Sequence, residues 1–340
     1  MITRHFFIRK ILFCCLLSVA YTCTSQDLVF SQYYNSPVHI NPAFAGLSNY
    51  PLFTTNYRLQ WPGINNVYKT YALSYDQFFN KFNSGIGFTA LADDQGDGTL
   101  KTSRFTGLYA YRLRFKENWQ IKFGMEVGYI QSRIDWNKLI FFDQIDPGVG
   151  PFNSSGVPFP SGEVQPPSLS NGYLDINFGM LLYNPLFYVG ITIDHLNSPY
   201  TGFLGNSPSS NGGLPRVLIL NGGMQIVLEK DNKGRPSTFI SPNILFAHQS
   251  GFNQVNVGAY MQIRQLFGGL WMRHTLNNLD AVIFSAGVDL DYIKIGYSFD
   301  LTGSQLGTNT GGSHEIGIVF RLKNLEKKES KYNDCFSLFR

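Results

Sequence analysis

Apolar and polar residues alternate along most of this chain, and that alternation constrains the fold more than any other feature. In residues 119–130 every second residue is apolar, while Lys122 and Glu126 fall between them. A helix would place those two charges among apolar neighbours, whereas a strand, whose side chains alternate between two faces, separates them. The same pattern at 282–290 and 292–300 predicts strands with one apolar and one polar face.

The composition favours a barrel that closes in lipid over a soluble sheet protein. Charged residues make up 15% of the chain and aromatic residues another 15%, whereas typical soluble domains are about 25% charged. After residue 25 no run approaches the roughly 18 consecutive apolar residues of a spanning helix. Few charges, many rings and amphipathic strands are typical of a transmembrane β-barrel. A soluble β-sandwich or a secreted propeller is the alternative, although no blade-length repeat is visible.

About fourteen alternating runs predict an antiparallel barrel of about fourteen strands. Two connections, 134–170 and 197–213, are rich in Pro, Gly and Ser and are predicted to be long loops. The runs lie near 52–60, 66–78, 83–93, 100–114, 118–133, 171–183, 186–196, 214–229, 236–248, 252–265, 267–276, 280–290, 291–301 and 312–322.

The two faces of these strands are expected to meet different surroundings. Phe123, Val127, Ile295 and Phe299 are predicted to face lipid. Lys122 and Lys294 alternate with them and are predicted to face the interior, where arginine should be tolerated.

The first 25 residues have the order of a secretory signal peptide. Arg4, Arg9 and Lys10 precede an apolar run, and small residues end at Ser25. Lipidation of Cys23 is the alternative. Removal of the leader leaves 340 − 25 = 315 residues with a charge of 24 − 23 = +1, so nothing indicates a nucleic-acid partner.

The mature chain divides into three parts: 26–50, a barrel over 51–322, and a tail over 323–340. The tail is rich in lysine and is predicted to be a solvated basic flank, with lipid head groups or a periplasmic partner as the alternative. Its Cys335 is the single cysteine after the leader. An intermolecular disulfide at Cys335 is a further alternative.

Residues 26–50 lack strand periodicity, so they are predicted to form a plug inside the barrel rather than to span lipid. A disordered periplasmic lead-in is the alternative. The residues expected to carry this segment are Phe30, Gln32, Tyr33, Asn41, Pro42, Ala43 and Gly46.

Two further motifs flank the barrel. The first strand ends in an aromatic motif that is predicted to lie at the membrane rim, formed by Tyr57, Arg58, Trp61, Pro62 and Gly63. Arg58 alternates with Tyr57 and could line the interior, and a direct contact with a partner is the alternative for the motif. The last strand resembles the C-terminal insertion signal of outer-membrane barrels, through His314, Glu315, Gly317, Phe320 and Leu322, although a tail follows it here. An ordinary amphipathic strand is the alternative.

Taken together, these motifs resemble the PorP/SprF family of Bacteroidetes outer-membrane proteins over the whole mature chain. The resemblance implies an outer-membrane component of the type IX secretion and gliding machinery. It implies a receptor or anchor for an exported surface protein, bound through that protein's C-terminal domain, among other secretion components. An outer-membrane channel for small or hydrophobic molecules is the alternative function.

No catalytic, cofactor-binding or metal-ligating pattern is expected, and the protein is not expected to be an enzyme. The acidic stretch 93–99 has Arg104 where a calcium loop needs a bidentate Glu, so it is interpreted as a turn. The pair His314-Glu315 has no partner histidine at ligand spacing and is interpreted as the end of a strand.

Overall fold

Fourteen antiparallel strands form a closed β-barrel, which confirms the predicted fold. The computed structural model describes residues 27–48, 50–64, 67–116, 118–203, 213–232, 234, 236–276, 278–303, 308–322, 335–336 and 339. The predicted leader and its cleavage position lie outside these ranges. Among the residues described, no helix is long and apolar enough to cross a membrane.

Fifteen strand segments occur in the described ranges, and they are numbered in chain order. They are β1 (Leu52–Gln60), β2 (Tyr68–Phe79), β3 (Ser84–Gln95), β4 (Leu100–Lys116), β5 (Trp119–Ile134), β6 (Ser170–Tyr183), β7 (Phe187–Asp194), β8 (Val217–Met224), β9 (Ile226–Lys230), β10 (Pro236–Gln249), β11 (Phe252–Ile263), β12 (Leu266–Thr275), β13 (Asn278–Asp289), β14 (Ile293–Thr302) and β15 (Ser313–Arg321). Short 3-10 helices occupy Pro37–His39, Pro42–Phe44, Asn80–Phe82, Trp136–Lys138, Phe142–Gln144 and Thr308–Thr310.

Apart from β8 and β9, each strand pairs with its neighbours in sequence, and the first strand pairs with the last. Leu52 of β1 lies opposite Arg321 of β15, so the sheet has no open seam there. Strands β8 and β9 are separated by one residue, Gln225, and both pair with β10. They therefore form one spanning strand, which reduces fifteen segments to fourteen.

Alternating burial follows the predicted alternation in sequence. In β5, Met125 and Val127 are exposed on the outer face, while Lys122 and Glu126 are buried on the inner face. Apolar side chains on the outer face suit lipid, which cannot hydrogen-bond to polar groups.

The long connections all lie at one end of the barrel. The β5–β6 connection spans 135–169 and the β7–β8 connection spans 195–216, both at this end, while the β4–β5 and β6–β7 turns at the other end are short. Outer-membrane barrels have short periplasmic turns and longer extracellular loops. We therefore name the end with the long connections the outer end and the other the periplasmic end.

One expectation about the inner face was wrong. Lys122 donates from Nζ to the carbonyl oxygen of Ala45 at 2.6 Å. The Nζ of Lys294 lies 5.2 Å from the ring centre of Phe267, and both lysines are fully buried. The interior is packed rather than solvated, so arginine at either position would overfill it, at a cost of about 1–3 kcal/mol.

Candidate functional site

The interior of the barrel is occupied by the chain's own N-terminal residues, 27–48, here named the lumenal segment. Gln32 donates from Nε2 to the carbonyl oxygen of Glu315 in β15. On the opposite wall, Thr192 of β7 donates from Oγ1 to the carbonyl oxygen of Ile40. A segment that reaches both walls of a closed barrel must lie between them. The sequence-predicted residues Phe30, Gln32, Tyr33, Asn41, Pro42, Ala43 and Gly46 are all buried there.

Proline and asparagine give the lumenal segment its compact shape. Pro37 and Pro42 each start a 3-10 helix, since proline lacks the N–H that a first turn leaves unused. The Oδ1 of Asn41 accepts a hydrogen bond from the Ala43 N–H at 2.8 Å and so caps the second helix. The segment therefore folds into short turns and needs no strand partner.

The barrel wall is shaped to admit this segment. A Cβ on Gly124 of β5 would lie 2.2 Å from the backbone nitrogen of Ala43 and 2.4 Å from the carbonyl carbon of Pro42. Only glycine permits so close an approach of two backbones. By contrast, a Cβ on Gly107 of β4 would meet nothing within 4 Å.

A buried group of charges, here named the outer ion cluster, fastens the start of the segment to the wall. It consists of Arg58, Arg273, Asp300 and Glu315. A guanidinium nitrogen of Arg58 lies 3.1 Å from a carboxylate oxygen of Asp300, and another lies 3.2 Å from one of Glu315. A guanidinium nitrogen of Arg273 lies 2.8 Å from the same oxygen of Asp300. Two arginines thus face two carboxylates in a site with little water, where an unpaired charge would be costly.

The outer ion cluster binds two backbone N–H groups and one hydroxyl of the lumenal segment. The Glu315 carboxylate accepts hydrogen bonds from the N–H groups of Ser31 at 2.9 Å and Gln32 at 3.0 Å. The hydroxyl of Ser31 donates to Asp300 and accepts from Arg58, each at 2.6 Å. Hydrogen bonds of backbone N–H groups to a carboxylate are among the stronger ones in proteins.

A histidine between two carboxylates holds the first described residue. His195, just beyond β7, lies 2.5 Å from Asp27 through Nε2 and 2.8 Å from Asp175 through Nδ1. Burial lowers the pKa of His195, but the hydrogen bonds to Asp175 and Asp27 outweigh burial and raise the pKa to about 9. The protonated ring donates to both carboxylates, which bridges the segment to the wall.

Aromatic rings fill the space that the charges leave. The ring of Tyr34 stacks on Trp271 of β12 at 5.1 Å between centres and meets Tyr260 of β11 edge-on at 5.4 Å. Buried rings of this size contribute roughly 1.5–3 kcal/mol each, so apolar packing as well as charge retains the segment.

The C-terminal tail also enters this interior, which the sequence did not predict. The ring centres of Phe336 and Tyr183 are 4.8 Å apart, and those of Phe339 and Phe44 are 5.2 Å apart. Both rings and Cys335 are buried. These three residues are therefore not part of a solvated flank, and the buried Cys335 thiol is not available for an intermolecular disulfide. The tail lysines lie outside the described residues.

The predicted rim motif is divided between the two faces of the wall. Tyr57 points outward with its ring 5.0 Å from Tyr71, whereas Arg58 points inward to the outer ion cluster. The backbone N–H of Trp61 donates to the carbonyl oxygen of Gly312 at 2.8 Å. The exposed Pro62 and Gly63 continue this contact, since the Gly63 N–H donates to Thr310.

The predicted C-terminal signal is divided in the same way. His314 points outward, with Nδ1 at 2.7 Å from the Tyr297 hydroxyl, and Phe320 points outward beside Phe53. Glu315 and Gly317 point inward, and a Cβ on Gly317 would lie 2.9 Å from Nδ2 of Asn35. Leu322 lies just past β15 and is exposed. The inward half of this motif thus contacts the lumenal segment.

Sequence reasoning did not identify several residues of the site. Arg273 and His195 belong to no recognised motif, and although Asp27 and Asp300 lie in stretches that resemble the family, the sequence assigned neither of them a contact. Within the described ranges, no group of three or more His, Cys, Asp or Glu side chains is arranged to hold a metal ion. The acidic stretch 93–99 forms the end of β3 and its turn to β4.

Comparison with solved structures shows the same type of fold. The toluene transporter TbuX of Ralstonia pickettii is 11% identical with a TM-score of 0.50, and the alignment covers 85% of this chain and 94% of that one. A FadL homologue of Pseudomonas aeruginosa is 12% identical with a TM-score of 0.40, covering 84% and 92%. The outer membrane protein Omp33 of Acinetobacter baumannii is 8% identical with a TM-score of 0.40, covering 81% and 99%. The likeness to TbuX indicates a shared fold and no more.

The family comparison extends over nearly the whole chain. No curated protein sequence matches. Residues 22–320 match the family described as type IX secretion system membrane protein PorP/SprF. Together with the closed barrel, this match confirms the predicted location in the outer membrane. The chain belongs to the PorP/SprF family of type IX secretion system membrane proteins.

Proposed function

We propose that this protein is a closed, non-catalytic component of the type IX secretion apparatus that acts as a receptor or anchor for an exported surface protein. The family match supports a membrane component of that system. The contact to the exported protein, through that protein's C-terminal domain, is our proposal. Association with other secretion components and a role in gliding are also part of the proposal.

The filled interior is the observation that carries this proposal. A barrel of fourteen strands is wider than the eight-strand barrels that side chains alone can fill. Here the lumenal segment and the tail rings occupy the space. A receptor has to hold a partner without making the membrane permeable, so a closed interior suits a receptor better than a channel.

The segment is held by more than one kind of contact, which argues against easy displacement. Glu315 binds its backbone, His195 binds Asp27, and Trp271 stacks on Tyr34. Ordering the segment costs about 1–2 kcal/mol per residue, so charge, hydrogen bonding and apolar burial are all needed to offset it. A channel for small or hydrophobic molecules would need to break these contacts in each opening.

Conductance in planar bilayers tests the closed interior. The full-length protein should show no porin-like conductance, and deletion of 27–46 should produce it while the barrel still folds. Gly124→Ala should leak partly, because its Cβ would collide with the backbone at Ala43, whereas Gly107→Ala should stay closed. A full-length protein that conducts like an open porin, unchanged by the deletion, would favour the channel.

The receptor role is tested in cells that lack the gene. Exported surface proteins should be found in the medium instead of on the cell surface, as quantified by mass spectrometry of both fractions. Unchanged retention in those cells would reject the receptor role while leaving the bilayer result intact.

A further inference from the structure

The β5–β6 connection, residues 135–169, here named the outer loop, displays an unusual amount of apolar surface to water. Phe142 is 92% exposed and Val164 is 85% exposed. Isolated exposed apolar residues are common, but a group within one loop marks an interaction site. The other exposed apolar residues of this loop are Ile140, Ile145, Val149, Phe152 and Val157.

Polar side chains of the outer loop are used to hold its own backbone. Asp143 accepts hydrogen bonds from the Ser161 hydroxyl at 2.9 Å and from the Gly162 N–H at 2.6 Å. Asn153 accepts from the N–H groups of Ser155 and Val157, both at 3.0 Å. The loop is thus ordered by polar contacts while its apolar side chains point outward. A loop with no partner would instead be expected to expose its polar side chains to water and to bury its apolar ones.

The internal contacts join the two parts of the loop that carry its most exposed apolar residues. Asp143 follows Phe142 directly, and its bond to Gly162 joins the two halves of the loop two residues before Val164. Phe142 and Val164 therefore each lie within two residues of the same junction. Exposed aromatic and aliphatic side chains on an ordered support are the usual centre of a protein interface.

The charge of the outer loop favours a protein partner over lipid. It contains one lysine, Lys138, and four carboxylates, so its net charge is 1 − 4 = −3. An acidic surface repels anionic head groups and attracts a basic protein surface. The carboxylates are Asp135, Asp143, Asp146 and Glu163.

We infer that the outer loop is the docking surface for the exported protein, which it contacts through a patch that is apolar at its centre and basic at its rim. Phe142 and Val164 form the apolar centre of the contact. This inference rests on the proposed receptor function, and it assigns that function to one loop at the outer end.

The test uses the full-length protein in cells. The double variant Phe142→Ser with Val164→Ser is compared with the unaltered protein, with cells lacking the gene, and with a matched control, Phe82→Ser. Phe82 is also exposed, at 64%, but lies in the β2–β3 turn at the periplasmic end. The double variant should fold, reach the outer membrane at normal levels and reduce surface retention of exported proteins at least tenfold. Phe82→Ser should retain them.

The possible outcomes separate the inference from the receptor function. If cells lacking the gene retain their surface proteins, the receptor function fails. If those cells release the proteins but the double variant retains them, or if Phe82→Ser releases them equally, the assignment to the outer loop is overturned. A photo-crosslinker at position 142 should capture an exported protein, and its capture of lipid alone would also overturn the assignment.

Discussion

Replacing Glu315 with glutamine should detach the start of the lumenal segment. The Glu315 carboxylate accepts from the N–H groups of Ser31 and Gln32 and forms an ion pair with Arg58. Glutamine has nearly the same shape, but it replaces one acceptor oxygen with a donor and removes the charge. One of the three donors would then face another donor, and Arg58 would lose a buried partner.

The size of the effect follows from the burial of the pair. Arg58 and Glu315 are both almost completely buried, and Arg58 keeps Asp300, which Arg273 already shares. Breaking one side of such a buried pair costs about 3–5 kcal/mol. If the whole of this loss lowers the free energy of opening the lumenal segment, hydrogen exchange in the segment should accelerate roughly 100-fold to several-thousand-fold.

Hydrogen exchange by mass spectrometry, on protein folded in lipid vesicles, measures this acceleration directly. Peptides from 27–48 should exchange faster in Glu315→Gln, while peptides from the barrel strands keep their protection. Glu163→Gln is the matched control, because Glu163 is exposed in the outer loop. Wild-type exchange rates in Glu315→Gln, or equal acceleration in both variants, would refute the reasoning.

Three further predictions address other parts of the molecule. Because His195 has a pKa raised from 6.5 to about 9, its contribution should be complete below pH 6.5 and lost as the pH rises through 9; protease access to the N-terminal residues should therefore increase between pH 7 and pH 10, and should not do so in His195→Gln. Val127→Arg on the lipid face should cost about 2–4 kcal/mol in urea unfolding, whereas Val164→Arg in the outer loop should cost almost nothing. Cys335 is buried and should react with maleimide only after unfolding, and rapid labelling of the folded protein would mean that the tail is not held in the interior.

The strands could be predicted because lipid imposes a simple rule. Outward side chains that meet the hydrocarbon must be apolar, so the period of two is visible directly in the sequences of β5 and β14. The break at Gln225 was not visible, since β8 and β9 continue one alternating run. Alternation shows which face a residue occupies and does not show its partner.

The site could be predicted only where a motif marked it. Arg58 and Glu315 lie in motifs that resemble the family. Both are buried on the inner face, and both contact Ser31 of the lumenal segment. His195 and the ring of Phe336 could not be found in this way. His195 contacts Asp27 and Phe336 packs on Tyr183, and each of these pairs is more than 150 residues apart in sequence. No local pattern encodes such a distance.

The contact between Phe44 and Phe339 has a consequence for the timing of assembly. The two rings are separated by 339 − 44 = 295 residues. A chain emerges with its N-terminus first, so the packing of Phe44 is complete only after residue 339 has followed it. Contacts of such long separation form slowly. Until then the ring of Phe44 lacks part of its packing, and we expect the newly exported chain to need protection from aggregation for longer than a barrel whose plug makes only short-range contacts.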